Sequence, residues 1–260
     1  MRFIREQLRC GLQSVVQGFY TVDHVLRPGG DVDQREIESR PQKKNSSDLS
    51  WIQTTLWIVC VVGPIYGIAM GSYAWIDGHR SFSQQALQML YSGLKLPLLI
   101  TTTVALSLPS YFVLNSLFGL REDFGEAVRA VVSAQAGLVI ILASLTPLTF
   151  FFYVSNTANS RYPTAILFNA LMFTVASISA QRLLALWYAP LIKKNPRHRS
   201  MMVLWIFVFA FVGIQMGYVL RPFIGQPSNP TTFLRENPFE NAYVRVWELV
   251  MDVVSAEGMF

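Results

Sequence analysis

Five long runs of apolar residues divide this chain, and polar residues gather between and beyond them. The runs lie near Ile52–Trp75, Leu96–Phe118, Ala130–Val154, Thr164–Leu186 and Met202–Leu220. Each is long enough to carry a helix across about 30 Å of hydrocarbon. A membrane β-barrel requires apolar and polar residues to alternate, whereas LVIILASLTPLTFFFYV (138–154) is continuous. The pattern therefore predicts an all-α fold: a polytopic membrane helix bundle with five spans. Residues 1–50 form a cytoplasmic N-terminal part, residues 51–221 the transmembrane domain, and residues 222–260 an extracytoplasmic tail.

Outside the runs the periodicity changes. Phe3, Ile4, Leu8, Leu12, Val15, Val16 and Phe19 recur at helical spacing, with Arg2, Arg5 and Arg9 on the other side. This amphipathic helix either lies on a membrane surface or packs on the rest of the chain. It lacks the continuous apolar core of a signal peptide. In the tail, Asn237-Pro238-Phe239-Glu240 sets an N-cap, a proline at the first helical position and a following glutamate. A second amphipathic helix follows, with Phe239, Tyr243, Val246, Trp247, Val250 and Val254 on its apolar face. The mixed stretch Phe82–Leu94 reads as an interfacial segment that bends into the membrane near Pro97.

Charge sharpens this picture. Residues 51–221 hold only 15 of the 37 charged residues, too few for the surface of a soluble domain. They also hold the positive balance: +7, against +1 before them and −3 after. Loop cations obey the positive-inside rule best with the N-terminus inside, the loop KKNPRHR (193–199) contributing most. Lys193, Lys194, Arg197 and Arg199 are read as topology determinants that can also meet lipid headgroups. Nucleic acid is not an expected partner, because these cations follow the membrane boundary.

No Asp or Glu falls inside a span, which argues against proton-coupled or cation transport through a membrane carboxylate. Lys95, Arg182 and Arg221 lie near span ends and are expected to reach outward to headgroups. A sharper reading joins Arg182 to the span amides Gln135, Asn169 and Gln215 in an intramembrane polar network. Gly63, Gly67 and Gly71 make a tandem small-residue face on the first span, and Gly213 and Gly217 repeat the spacing on the fifth. Such faces let helix backbones approach closely, so spans one and five are expected to pair. Pro64 is expected to bend the first span. Cys60 is read as a small buried hydrophobe. Its fellow Cys10 lies on the basic N-terminal stretch, where palmitoylation is conceivable. The sequence contains no HExxH, no phosphate-binding glycine loop, no GxSxG and no His/carboxylate pair. Nothing assigns a metal or a cofactor.

The segments KLPLLITTTVALSLPSYFVLNSLFG (95–119), QMGYVLRPFIG (215–225) and FLRENPFE (233–240) resemble a group of bacterial multi-span proteins related loosely to the Yip family. The resemblance implies five spans, a cytosolic N-terminus, the cytoplasmic (inner) membrane and a role in membrane organisation. The short signature motifs of the eukaryotic family do not occur here, and no functional residue carries over. The expected function is that of a non-catalytic structural, scaffolding or assembly subunit. Its expected partners are the bilayer and other membrane subunits or a second copy. The alternative is a channel or transporter for an ion or small solute, with a water-filled cavity lined by Gln135, Asn169, Arg182 or Gln215.

Overall fold

A computed structural model describes residues 44–73, 81–155, 162–225 and 231–234. Among these, all regular structure is helical. The elements are α1 (Lys44–Gly71), α2 (Phe82–Leu117), a 3-10 turn (Arg121–Asp123), α3 (Phe124–Ser144), α4 (Thr146–Ser155), α5 (Tyr162–Lys194) and α6 (Arg197–Val219). Five stretches are long and apolar enough to cross a membrane: α1, α2, α3 with α4, α5 and α6. The helical state follows from the solvent. Hydrocarbon offers no partner to a backbone amide, so each apolar run must bond to itself. The N-terminal amphipathic helix and the tail helix expected after Asn237 lie outside the described residues.

Packing contacts arrange the helices in a ring. α1 packs on α2, α2 on α6, α6 on α5, α5 on α3, and α3 closes back on α1. Two apolar clusters fill its ends. Tyr66, Met70, Leu96, Val139, Leu142 and Met172 belong to one. Tyr111, Val131, Leu184, Tyr188, Met201 and Trp205 belong to the other. The turns near the second cluster are short and chemically specified. After α2, Gly119 adopts a φ of 72°. Its N–H bonds to Ser116 O, and the Leu120 N–H bonds to Asn115 O at 2.9 Å, the paired closure of a Schellman motif. Between α5 and α6, Asn195 Oδ1 accepts the Arg197 N–H at 3.1 Å and caps the last helix.

Three features differ from the reading of the sequence. Residues 82–94 are no separate interfacial segment, because α2 is one helix of 36 residues that includes Pro97 and Pro109. At a rise of about 1.5 Å per residue it reaches about 54 Å, well beyond the hydrocarbon. Its first turns are held because they continue the contact with α1. The third crossing is divided at Leu145, beside Pro147, which has no N–H to carry the ladder onward. Cys60 is exposed, not buried. It shares an outward stripe with the exposed Leu56 and Trp57, an apolar surface suited to lipid.

Candidate functional site

The glycines of α1 let its backbone approach a neighbouring helix closely. A Cβ on Gly67 would lie 2.3 Å from Ser92 O and 2.8 Å from Gly93 Cα. On Gly71 it would lie 2.8 Å from Met89 Cα, and on Gly63 3.1 Å from Pro97 Cγ. All three positions face α2, so the partner of this face is the second span. The expected pairing with the fifth span is corrected. Gly213 would place a Cβ 3.5 Å from Thr103 Cγ2 of α2, and Gly217 faces open space. The reason is the small residue Gly93 on α2, whose Cβ would touch Ile68 of α1 at 3.0 Å. Both backbones lack side chains where they cross, which matches α2 to α1 better than α6.

Past α6 the chain returns to α2 and is fastened by its carbonyls. Lys95 Nζ donates to Pro222 O at 2.6 Å. Gln88 Nε2 donates to Phe223 O at 3.2 Å, and the Ser92 hydroxyl donates to the same oxygen. Tyr162 OH donates to Ile224 O at 3.1 Å. Lys95 is wholly buried, and its ammonium lies 5.1 Å from the ring centroid of Phe233. It therefore does not reach to headgroups. Its charge is satisfied inside by the Pro222 carbonyl oxygen and the Phe233 ring face. This hook is not legible in the sequence, because the acceptor stands 127 residues away on a short apolar-polar mixture.

The four residues expected to share one polar network are separated. Asn169 is buried and accepts from Tyr66 OH at 3.1 Å while donating to Tyr153 OH at 2.6 Å and Ala165 O at 2.7 Å. Arg182 stands 13 residues further along the same helix, about 20 Å away by helical rise. It points outward and is exposed. Gln135 is buried with its Oε1 unpartnered, and Gln215 is half-buried. The network that does form, Tyr66–Asn169–Tyr153, ties α1, α4 and α5 together. Asn169→Leu is expected to lower stability by about 1–3 kcal/mol, since each such bond in a membrane contributes roughly 0.6, up to 1.7 kcal/mol. In that background Tyr66→Phe and Tyr153→Phe should add little, a double-mutant result readable by unfolding titration in mixed micelles.

At the opposite end from the hook, Lys193, Lys194, Arg197 and Arg199 are all exposed around the α5–α6 turn. Lys194 pairs with Asp123, and His198 Nε2 lies 3.1 Å from the other carboxylate oxygen. Asp123 precedes α3, outside the apolar crossing. The hydrogen bond from Lys194, and secondarily that from His198, holds its carboxyl below the usual carboxylate range. This is a His/carboxylate pair that the sequence did not disclose. Its signal was topological: RED (121–123) and KKNPRHR (193–199) occupy loops on one side of the membrane. The imidazole is wholly buried against Tyr188, whose hydroxyl meets that of Tyr111. In this setting it fastens the α2–α3 turn to α6.

No known family, curated protein or solved structure matches this chain. Function must therefore be argued from these features alone. Among the described residues no group of three or more His, Cys, Asp or Glu side chains is placed to hold a metal ion. A cavity of about 430 Å³ opens between α2, α3, α5 and α6. Gln135, Asn169, Arg182 and Gln215 are absent from its lining, so the polar pore expected of the transport reading is not assembled by them. The remaining distinctive surface is α6 itself. Only 6% of its most apolar window is buried, against 28% to 50% in the other four. Val203, Phe207, Phe211 and Ile214 are exposed on it, and Gly217 continues the same face. At 100° per residue these five positions fall within a sector of about 120°.

Proposed function

We propose that this protein is a non-catalytic subunit of a membrane protein complex, held to its partner by the outer face of α6. The observation that carries the reading is that this span has the smallest share of fully buried residues, with Val203, Phe207, Phe211 and Ile214 exposed on one face. The other four bury a substantial share of their surface in the ring, while α6 is attached along one side to α2 and α5. Phe207 and Phe211 supply large rigid anchors, and Gly217, with open space before it, removes bulk on the same side. That combination suits the packing of a transmembrane helix, where close contact takes the place of the hydrophobic effect. A groove of about 450 Å³ runs from Phe118 along Val203, Leu204 and Phe207, with Arg199 at its rim. It gives the face relief that a partner side chain can enter. Under this reading the glycine face of α1 serves the chain's own fold, and partner binding resides on α6.

Affinity purification from native membranes in mild detergent tests the proposal. The wild-type chain should bring down a second membrane protein or a second tagged copy. Phe207→Ala/Phe211→Ala should reduce that yield roughly tenfold or more, since truncated anchor residues cost about 2 kcal/mol or more. Its own elution volume and helix content should be unchanged. A wild-type chain that purifies alone, or a double variant that keeps its partner, would refute the reading.

A further inference from the structure

The 430 Å³ cavity lies between the two apolar clusters of the bundle. Its walls include Ile100, Leu138 and Phe209, and they sit within the apolar runs of their helices. Molecules already dissolved in the bilayer are the ones that reach such a depth. The volume falls in the range of about 300–1,000 Å³ that accommodates small ligands. Gly213 keeps it open: the position of its missing Cβ is 3.5 Å from Thr103 Cγ2. Thr103 Oγ1 donates to Leu99 O at 2.6 Å and so turns its methyl group to that side.

One end of this cavity is polar. Gln181 lines it, and Gln181 Oε1 is buried with no hydrogen-bond partner. α2 and α5 run in one direction and α3 runs in the other. One turn from the lining residue Thr103, toward the end where Asp123 lies, stands Ser107. One turn from Leu138 in the same direction stands Gln135. Ser107 Oγ and Gln135 Oε1 are likewise buried and unpartnered. Of these three oxygens, that of Gln181 belongs to the cavity lining, and those of Ser107 and Gln135 lie a helical turn beyond it. Buried polar atoms in folded proteins are overwhelmingly paired, and an unmade bond there is costly. Two of the three are amide oxygens, which can only accept. Each calls for a donor.

We propose that this cavity binds a membrane-dissolved amphiphile with a hydroxyl at one end, such as a long-chain alcohol. The chain occupies the space between Ile100, Leu138 and Phe209, and the hydroxyl donates toward Gln181. A plain hydrocarbon chain would leave Gln181 Oε1 unpaired, whereas an O–H supplies the donor it lacks.

The probe is hexadecanol carrying a diazirine, compared with its methyl ether, in phosphatidylcholine proteoliposomes containing the full chain. Photolabelling by the alcohol should saturate and map to peptides of α2, α5 or α6. The ether, which has no donor, should label roughly tenfold less. Gln181→Leu should shrink that preference to about twofold or less, and Gly213→Leu should abolish saturable labelling by filling the cavity. If Gly213→Leu elutes as aggregate, the alcohol-to-ether ratio in wild type and Gln181→Leu decides the matter. Labelling that does not saturate, an ether that labels as well as the alcohol, or a folded Gly213→Leu that labels like wild type would overturn the proposal.

Discussion

Gly67→Ala is expected to destabilise the bundle by about 3 kcal/mol or more, and Gly67→Leu to prevent its assembly. The added Cβ meets Ser92 O at 2.3 Å and Gly93 Cα at 2.8 Å, and both are backbone atoms of α2. No rotamer can relieve that contact, so the helices must separate. Separation also loosens the contacts of Gly71 with Met89 and of Gly63 with Pro97, because the three glycines lie on one stripe. Overpacking in a core typically costs about 1–3 kcal/mol even when flexible side chains can yield. Here the dispersion contact that replaces the hydrophobic effect between membrane helices is lost along several turns. The control is Gly217→Ala, where a Cβ meets nothing within 4 Å. It should be neutral or slightly stabilising. Unfolding of both variants in mixed micelles, followed by helical signal and by elution volume, checks the contrast. Equal stability of the two would show that α1 and α2 do not cross as described.

Lys95→Glu is expected to release the segment after α6. The wild-type ammonium is wholly buried and donates to Pro222 O, with Phe223 O also directed toward α2 by Gln88 and Ser92. A carboxylate at that position would face backbone oxygens with no donor between them. Breaking a buried charge interaction in this way costs about 3–5 kcal/mol, enough to expel the 222–224 turn. Lys95→Met is the instructive comparison. It keeps the volume and removes the charge, leaving Pro222 O without its donor at a cost of about 1–3 kcal/mol. A cysteine placed at Ile224, in a background without Cys10 and Cys60, reports on the turn. That position is buried in the wild-type protein. A water-soluble maleimide should label it slowly in wild type, faster in Lys95→Met and fastest in Lys95→Glu. Equal protection in all three would show that Lys95 does not hold the turn.

The crossings were legible because composition reports the solvent. Long runs without carboxylates need hydrocarbon, and helix ends fell close to the polar residues around Arg121, Lys194 and Arg197. Contacts between helices were not legible, because in lipid the inner and outer faces share one chemistry. Leu171 and Met172 are adjacent and equally apolar, yet the first is 54% exposed and the second 6%. No alternation of polar and apolar positions marks which side turns inward. The glycine stripe told that α1 approaches something closely, but the choice of α2 over α6 rests on Gly93, an isolated glycine outside any repeat. Asn169 was recognisable as a buried amide, whereas its partners Tyr66 and Tyr153 passed as ordinary aromatics of the spans. His198 and Asp123 were each visible as loop residues. Their pairing depends on the short turns after Leu117 and Lys194 bringing two loops to one end. The unsatisfied oxygen of Gln181 belongs to a residue type unremarkable in the sequence, and only the cavity it lines gives it meaning.

The hook at Lys95 also bears on the order in which the molecule is made. The ammonium enters the membrane domain with the second span, but its acceptor, Pro222 O, follows α6. While the ribosome is still extending the chain, that charge has no internal oxygen and favours the aqueous boundary. It can be drawn fully inside once the fifth span has been inserted and the following turn folds back. Burial of this one cation is thereby coupled to the arrival of the segment after α6, and a chain truncated before Pro222 would carry a charge without its internal acceptor.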